Sequence, residues 1–411
     1  MEKKAKEKLW NGKFIFLIVI SCITGFGFNM VYTMVVDYSV THLSATLSVA
    51  GLISGIYSIA ALMMRPFAGA ASDFYNKKKI CIISTGVIAS TALGYAFAPN
   101  IPCMFAVRIL HGAAFGVSST VNIALVSFCI PHDRMAEGLG YYGLGQILAS
   151  AVGPGMGAAI QEKYGYETLF LIIFALTAVA TIGLCFFRYQ EPAKEKKPDS
   201  FAAMLSPKRI IATDVLMYAV IGSLFSFSNG VVNAFLKTFC ESRNIPNYAV
   251  FFTVSAIVLF GMRLSIGKIA DKKGITGIVN FSLIASFAAM VLLGKSTSLA
   301  MLLVAAALKA AGQGGGQVSL QAECIKKAGP ERSGVAAGTF YIGADIGQGI
   351  GPAISGVIAA SFGCEAAFFF TGVLLLAGCV LFNYYQKKQK DIAVENIEAS
   401  PLSPEGGDTD A

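Results

Sequence analysis

Twelve stretches of this 411-residue chain are apolar for about 20 residues each, the length at which a helix crosses a bilayer. They fall at 14–36, 47–71, 80–98, 104–126, 138–160, 169–187, 210–236, 248–269, 275–294, 299–320, 335–360 and 366–385. No water reaches the backbone in hydrocarbon, so a chain of this kind must satisfy its own peptide groups, and open runs of this length do so as helices. The expected fold class is therefore all-α integral membrane, with twelve transmembrane helices. Composition agrees, since 14% of residues are charged and 55% apolar, against about 25% charged in an average soluble domain. Disorder, coiled coil, collagen and a disulfide-stapled secreted domain are excluded. The first run is too long for a signal-peptide core and lacks a small-residue cleavage site, so it is expected to stay as a span.

The net charge of +8 is mostly topology. With the N-terminus inside, Lys3, Lys4, Lys6, Lys8 and Lys13, then Lys77, Lys78 and Lys79, then Lys268, Lys272 and Lys273 all fall on one side, whereas Lys163, Lys237, Arg243 and Lys295 fall on the other. That asymmetry predicts cytoplasmic termini in a cell membrane, with the lipid bilayer rather than nucleic acid as the partner. Nine cysteines are scattered without a CxxC, and there are three His, so neither a metal site nor a disulfide framework is expected.

The chain also repeats itself at an offset of 198 residues. Arg65, Gly69 and Asp73 fall on Arg263, Gly267 and Asp271, Gly140 on Gly338, Gly153 and Pro154 on Gly351 and Pro352, and Gly165 on Gly363. Shared apolar composition does not align charged, Gly and Pro positions. The expected organisation is a cytoplasmic N-terminus (1–13), a six-helix half (14–187), a solvated linker (188–209), a second six-helix half (210–386) and a disordered cytoplasmic tail (387–411). Two pseudo-repeated halves around a central cavity are a secondary-transporter arrangement.

Three motifs carry a family resemblance over nearly the whole chain. After the second span stands Gly69-Ala-Ala-Ser-Asp73-Phe-Tyr-Asn76, and after the eighth Gly267-Lys-Ile-Ala-Asp271-Lys-Lys-Gly274. Each reads as a helix end, an acid able to cap a neighbouring helix, and cations at the inner face. The pair resembles the signature loops of the major facilitator superfamily, though Phe74 replaces the usual basic residue and Asn76 the usual Gly. The resemblance implies a gating role for Arg65, Gly69, Asp73, Arg263, Gly267, Asp271 and Gly274. Arg108-Ile-Leu-His111-Gly112 in the fourth span is similar to the RxxxG pattern of proton-coupled members, with His111 where Gln is common. Gly140, Gly153, Pro154 and Gly157 resemble the antiporter motif of the fifth span, with Ala149 and Ala158 in place of two glycines, and Gly351 with Pro352 repeats it. Together these imply the drug:proton antiporter and small-molecule exporter branch.

Ionisable groups at mid-depth are costly in a bilayer and are functional candidates. Arg108, Lys309 and Asp345 qualify, and Lys309 with Asp345 is expected either as an ion pair or as an anion contact beside a proton carrier. The proton-coupling candidates are Arg108, Asp345, His111 and Asp37, although Asp37 lies at the outer edge of the first span and reads as loop-facing. Cavity candidates are Asn29, Tyr32, Asn122, Asn229, Asn233, Lys309, Gln313 and Gln317. No hydrolytic triad or nucleotide motif supports an enzyme. The leading expectation is a monomeric transporter that exports a small amphipathic compound on the proton gradient, without a cofactor. Uptake or exchange of an organic anion, from the basic set Arg108, His111 and Lys309, is the alternative, and a non-transporting membrane sensor is the alternative of another class.

Overall fold

The computed structural model describes residues 8–188 and 210–398, and the linker core and the last residues of the tail predicted above lie outside them. Helices are α1 (Gly12–Thr41), α2 (Leu47–Phe74), α3 (Lys77–Ala96), α4 (Ile101–Ser127), the short α5 (Met135–Tyr142) and α6 (Leu144–Phe186). There follow α7 (Leu216–Ser242), α8 (Val250–Lys273), α9 (Thr276–Lys295), α10 (Leu299–Ala328) and α11 (Ser333–Glu398). Among the described residues, ten helical segments are long and apolar enough to cross a membrane. The protein is a multi-pass membrane protein.

Local chemistry sets the helix starts. Asn11, Thr46, Asn76, Asn100 and Ser298 each accept a backbone N–H of the first turn, which removes one of the four orphan donors there. Two helices contain a reversal. Gly165 (φ 83°) breaks α6 and Gly363 (φ 85°) breaks α11, and the two residues are one repeat apart. Only glycine adopts that backbone cheaply. The charged residues that read as a loop around Glu162 and Lys163 instead continue the helix up to Gly165, because exposed polar side chains cost a helix little beyond the hydrocarbon. The first part of the predicted tail, 387–398, is likewise helical as the end of α11.

Packing does not follow the sequence order. α1 lies on α6, α2 on α4, and α3 on both α4 and α6; α7 and α9 lie on α11, and α8 on α10. The buried residues of one apolar cluster all lie between Ala212 and Phe382, and those of another between Met30 and Ile173. A third joins the two segments of chain, with Ala68, Leu139 and Leu184 against Ile266, Ala270 and Val318. Outward-facing side chains such as Ile83, Phe186, Val357 and Val380 are exposed and apolar, as expected where the surrounding solvent is lipid.

Candidate functional site

The joined cluster marks an end of the bundle that is shut by two matching contacts. Asp73, at the end of α2, accepts the backbone N–H groups of Gly334 and Val335 at 2.9 and 3.0 Å. Asp271, at the end of α8, accepts those of Ala136 and Glu137 at 3.1 and 2.9 Å. Each carboxylate sits on the positive end of a helix from the other half of the sequence, at α11 and α5 respectively. The backbones touch alongside. A Cβ on Gly69 would lie 2.9 Å from the Gly334 carbonyl oxygen, and one on Gly267 would lie 2.6 Å from that of Ala136. One turn deeper, Gly338 faces the Arg65 carbonyl and Gly140 that of Arg263, at 3.1 and 3.0 Å from a would-be Cβ.

One departure from the motif has a local explanation. Asn76 caps α3 by accepting from Lys79 N at 2.9 Å, work a glycine cannot do. Gly274 ends α8 with φ 77°. Of the antiporter-type residues, Gly153 and Gly157 pack α6 onto Asn29 and Met30 of α1, and Gly351 packs α11 onto Phe227 of α7. Pro154 and Pro352 sit inside α6 and α11. Only Gly140 among them reaches across to the other segment of chain.

Two cavities open inward from this shut end. The smaller, about 210 Å³, is lined by Arg65, His111, Ser118, Ser119, Asn122 and Gln146 among others. The larger, about 370 Å³, is lined by Asn29, Tyr142, Gln146, Arg263, Gln317 and Gln321 among others. Gln146, which donates to the Ser21 carbonyl at 3.0 Å, lines both.

The expected Lys309–Asp345 ion pair is not formed. Asp345 of α11 instead accepts from Arg65 of α2, through Nε and, at 3.2 Å, through Nη2. Arg65 also donates to Ser119 and Thr120 of α4 at 2.9 and 3.4 Å and lies over the Tyr341 ring, 4.5 Å from its centre. The correction has a plain cause: depth along a helix was legible, but the face on which Asp345 emerges turns it toward α2 rather than α10. Lys309 is buried and held by neutral acceptors, Asn229 at 2.8 Å and Gln313 at 3.0 Å. Amide contacts continue from Gln313 to Gln317 to Ser226, and from Asn229 to Gln348.

The other basic candidates are similarly occupied. Arg108 is fully buried, donating to the Ile53 and Ser54 carbonyls at 3.1 Å each and stacking on Tyr57, which ties α4 to α2. His111 shares a hydrogen bond of 2.8 Å with the Tyr95 hydroxyl through Nδ1, and its Nε2 is enclosed without a partner. Asn122 donates to Ser118 at 3.1 Å and Asn29 to the Gly25 carbonyl at 2.8 Å. Tyr32 and Asn233 are exposed and line neither cavity. Asp37 is exposed, accepts from the Tyr166 hydroxyl and lines neither cavity.

Sequence reasoning placed Arg65 and Arg263 only in the gating loops and did not single out Tyr142, Gln146, Ser119, Gln321 or Tyr341. A signal for the two arginines was present: both stand within an apolar span, four residues before the motif glycine.

Comparison with known proteins agrees with this architecture. The family model described as Major Facilitator Superfamily matches residues 17–338 and 276–404. The chain is 25% identical over 353 residues, 82% of its own length and 86% of the other's, to the multi-drug resistance efflux pump PmrA of Streptococcus pneumoniae. A PmrA homolog of Lactococcus lactis is 26% identical over 248 residues, 58% of this chain and 60% of that one. Among solved structures, the human organic anion transporter MFSD10 (TETRAN) superposes with a TM-score of 0.78 at 16% identity, covering 90% of this chain and 98% of that one. The transporter FucP in the outward conformation superposes with a TM-score of 0.76 at 13% identity, covering 92% and 99%. The chain belongs to the major facilitator superfamily and is a membrane transporter, not an enzyme.

Proposed function

We propose that this transporter exports a small amphipathic compound against inward proton flow, by alternating access between two six-helix halves, 14–187 and 210–386. Gly165 and Gly363 support a count of twelve crossings, since each divides a helical segment too long for one bilayer into two of spanning length. The repeat-related contacts of Asp73 and Asp271 support the two-half description, because each lies where one half meets the other. With both termini cytoplasmic in the cell membrane, the shut end faces inward and the conformer is open outward. Export is supported by the efflux-pump relatives at about one quarter identity.

The observation that carries the coupling is the Arg65–Asp345 pair. It crosses between the halves beside a cavity, so a proton taken by Asp345 removes the counter-charge of Arg65 and loosens the seam between α2 and α11. The proton gradient is the energy source in this reading, and the working unit is a monomer. The organic-anion alternative drew on Arg108, His111 and Lys309. It loses that support, because Arg108 and Lys309 already donate to protein acceptors. No contact supports the sensor reading.

Reconstitution into proteoliposomes with internal pH followed tests the proposal. Substrate addition is expected to shift internal pH in the parent, and Asp345→Asn is expected to abolish the shift while substrate exchange continues. Undiminished proton movement in Asp345→Asn removes that residue from the coupling.

A further inference from the structure

Arg65 and Arg263, each inside an apolar span, are repeat partners in unequal surroundings. Arg65 is enclosed by Asp345, the Tyr341 ring, Ser119 and Thr120. Moved by the 198-residue offset, those four positions become Ile147, Gly143, Gln317 and Val318. All four line the larger cavity together with Arg263. The backbone geometry is kept, as the matching Gly338 and Gly140 contacts demonstrate. What is lost is the carboxylate, replaced by an isoleucine, and the ring, replaced by a glycine over which the Arg263 guanidinium settles: a Cβ on Gly143 would overlap its Nη1.

Arg263 is left with a charge and nothing to pair it. Its Nε is enclosed without a hydrogen-bond partner, and none of the ion pairs among the described residues includes it. Gln317 cannot stand in, since its amide is engaged with Ser226 and Gln313. Arg263 is half-buried on the cavity wall, and a cation so placed without a counter-ion gains when an anion arrives. A guanidinium fork matches a carboxylate in particular, through two parallel N–H···O bonds.

We infer that Arg263 is the substrate-anchoring residue of the larger cavity and that the transported compound is an amphipathic carboxylate, whose anionic end occupies the place that Asp345 fills beside Arg65. The apolar body lies along Phe28, Ile123, Ile147 and Phe340 of the same cavity. This inference rests on the export reading for the direction of transport but not for binding.

The test is equilibrium binding to the purified full-length protein in detergent, with naphthoate, naphthylmethylamine and naphthylmethanol as probes of one shape and three charges. Naphthoate is expected to bind about tenfold or more tighter than the other two, the scale of one charge-assisted contact. Arg263→Gln is expected to erase that preference. Ile147→Asp supplies the missing acid within the chain and is expected to erase it too, whereas Ile147→Asn keeps it. Where Arg263→Gln fails to fold, the Ile147 pair decides. Equal binding of the three probes, no saturable naphthoate binding at millimolar concentration, or parent-like binding by Ile147→Asp overturns the inference. Binding needs no gradient, so the two readings part cleanly. Carboxylate binding without proton-linked flux in proteoliposomes sinks export and leaves Arg263 as the anchor. Proton-linked flux of a neutral or cationic amphiphile, unaffected by Arg263→Gln, does the reverse.

Discussion

The seam between α2 and α11 and the seam between α5 and α8 share a backbone plan and differ in where they keep their charge. Both use an aspartate on a helix N-terminus and a glycine pressed on a carbonyl oxygen. The first adds an Arg65–Asp345 pair at mid-depth. The second keeps its ion pairs at the rim, with Lys326 on Asp271 at 2.6 Å, Arg134 on Glu137 at 2.7 Å and Lys268 on Glu137 at 3.7 Å. The basic partners there reach solvent, with Lys326, Arg134 and Lys268 at 19%, 33% and 54% exposed, whereas Arg65 is 4% exposed, so leaving Arg65 without its partner is the more expensive change. On the readings proposed above, one seam responds to a proton and the other presents a cation to a cavity.

The largest expected contrast comes from deleting one charge on each seam. Asp345→Leu strands Arg65 and should cost about 3 kcal/mol, the low end for an orphaned buried charge, with recovery in the Arg65→Met, Asp345→Leu double variant. Arg263→Leu strands nothing and should leave the melting temperature in detergent unchanged or raised. Equal losses in both single variants would erase the distinction between the seams.

Backbone contact gives a middling contrast. Gly267→Ala pushes a methyl to within 2.5 Å of Glu137 Cα, and Gly69→Ala to within 2.9 Å of the Gly334 oxygen. Overpacking costs about 1–3 kcal/mol, so both should favour the opened state and Gly267→Ala the more. Thiol labelling at Ala270→Cys and Ala70→Cys, positions buried in the shut form, should rise accordingly. No rise in either background means the glycines are not the hinge of closure.

The smallest contrast is between the capping acids. Asp73→Asn and Asp271→Asn each weaken a helix cap, by about 1 kcal/mol, while the Glu variants keep the charge. Asp271→Asn should slow transport more at matched expression, because it also removes the partner of Lys326. Parent rates in both Asn variants would show that capping does not limit the cycle.

The sequence carried the spans, the repeat and the two capping acids because each is written in a local pattern: apolar length, fixed offset, an acid after a helix. Partnership across the bundle is not local. Asp345 was read from its position along the helix, yet its partner depends on helix rotation, and a shift of one residue moves a side chain by about 100° around the axis. Lys309 was singled out for charge and depth and Arg108 for its motif as well, and only the structure shows their donors spent on Asn229, Gln313 and main-chain carbonyls. Arg263 was hidden for the opposite reason. Its meaning lies in what its repeat counterpart has and it lacks, a comparison that needs the contacts of Arg65 first.

The single tryptophan, Trp10, stacks on Tyr141 of α5 at 4.9 Å between ring centres. Tyr141 belongs to the helix that α8 grips at the shut end. The protein therefore carries its own fluorophore one ring away from a seam that alternating access would part. Emission from the unlabelled chain, free of background from any other indole, offers an optical record of that end during a transport cycle.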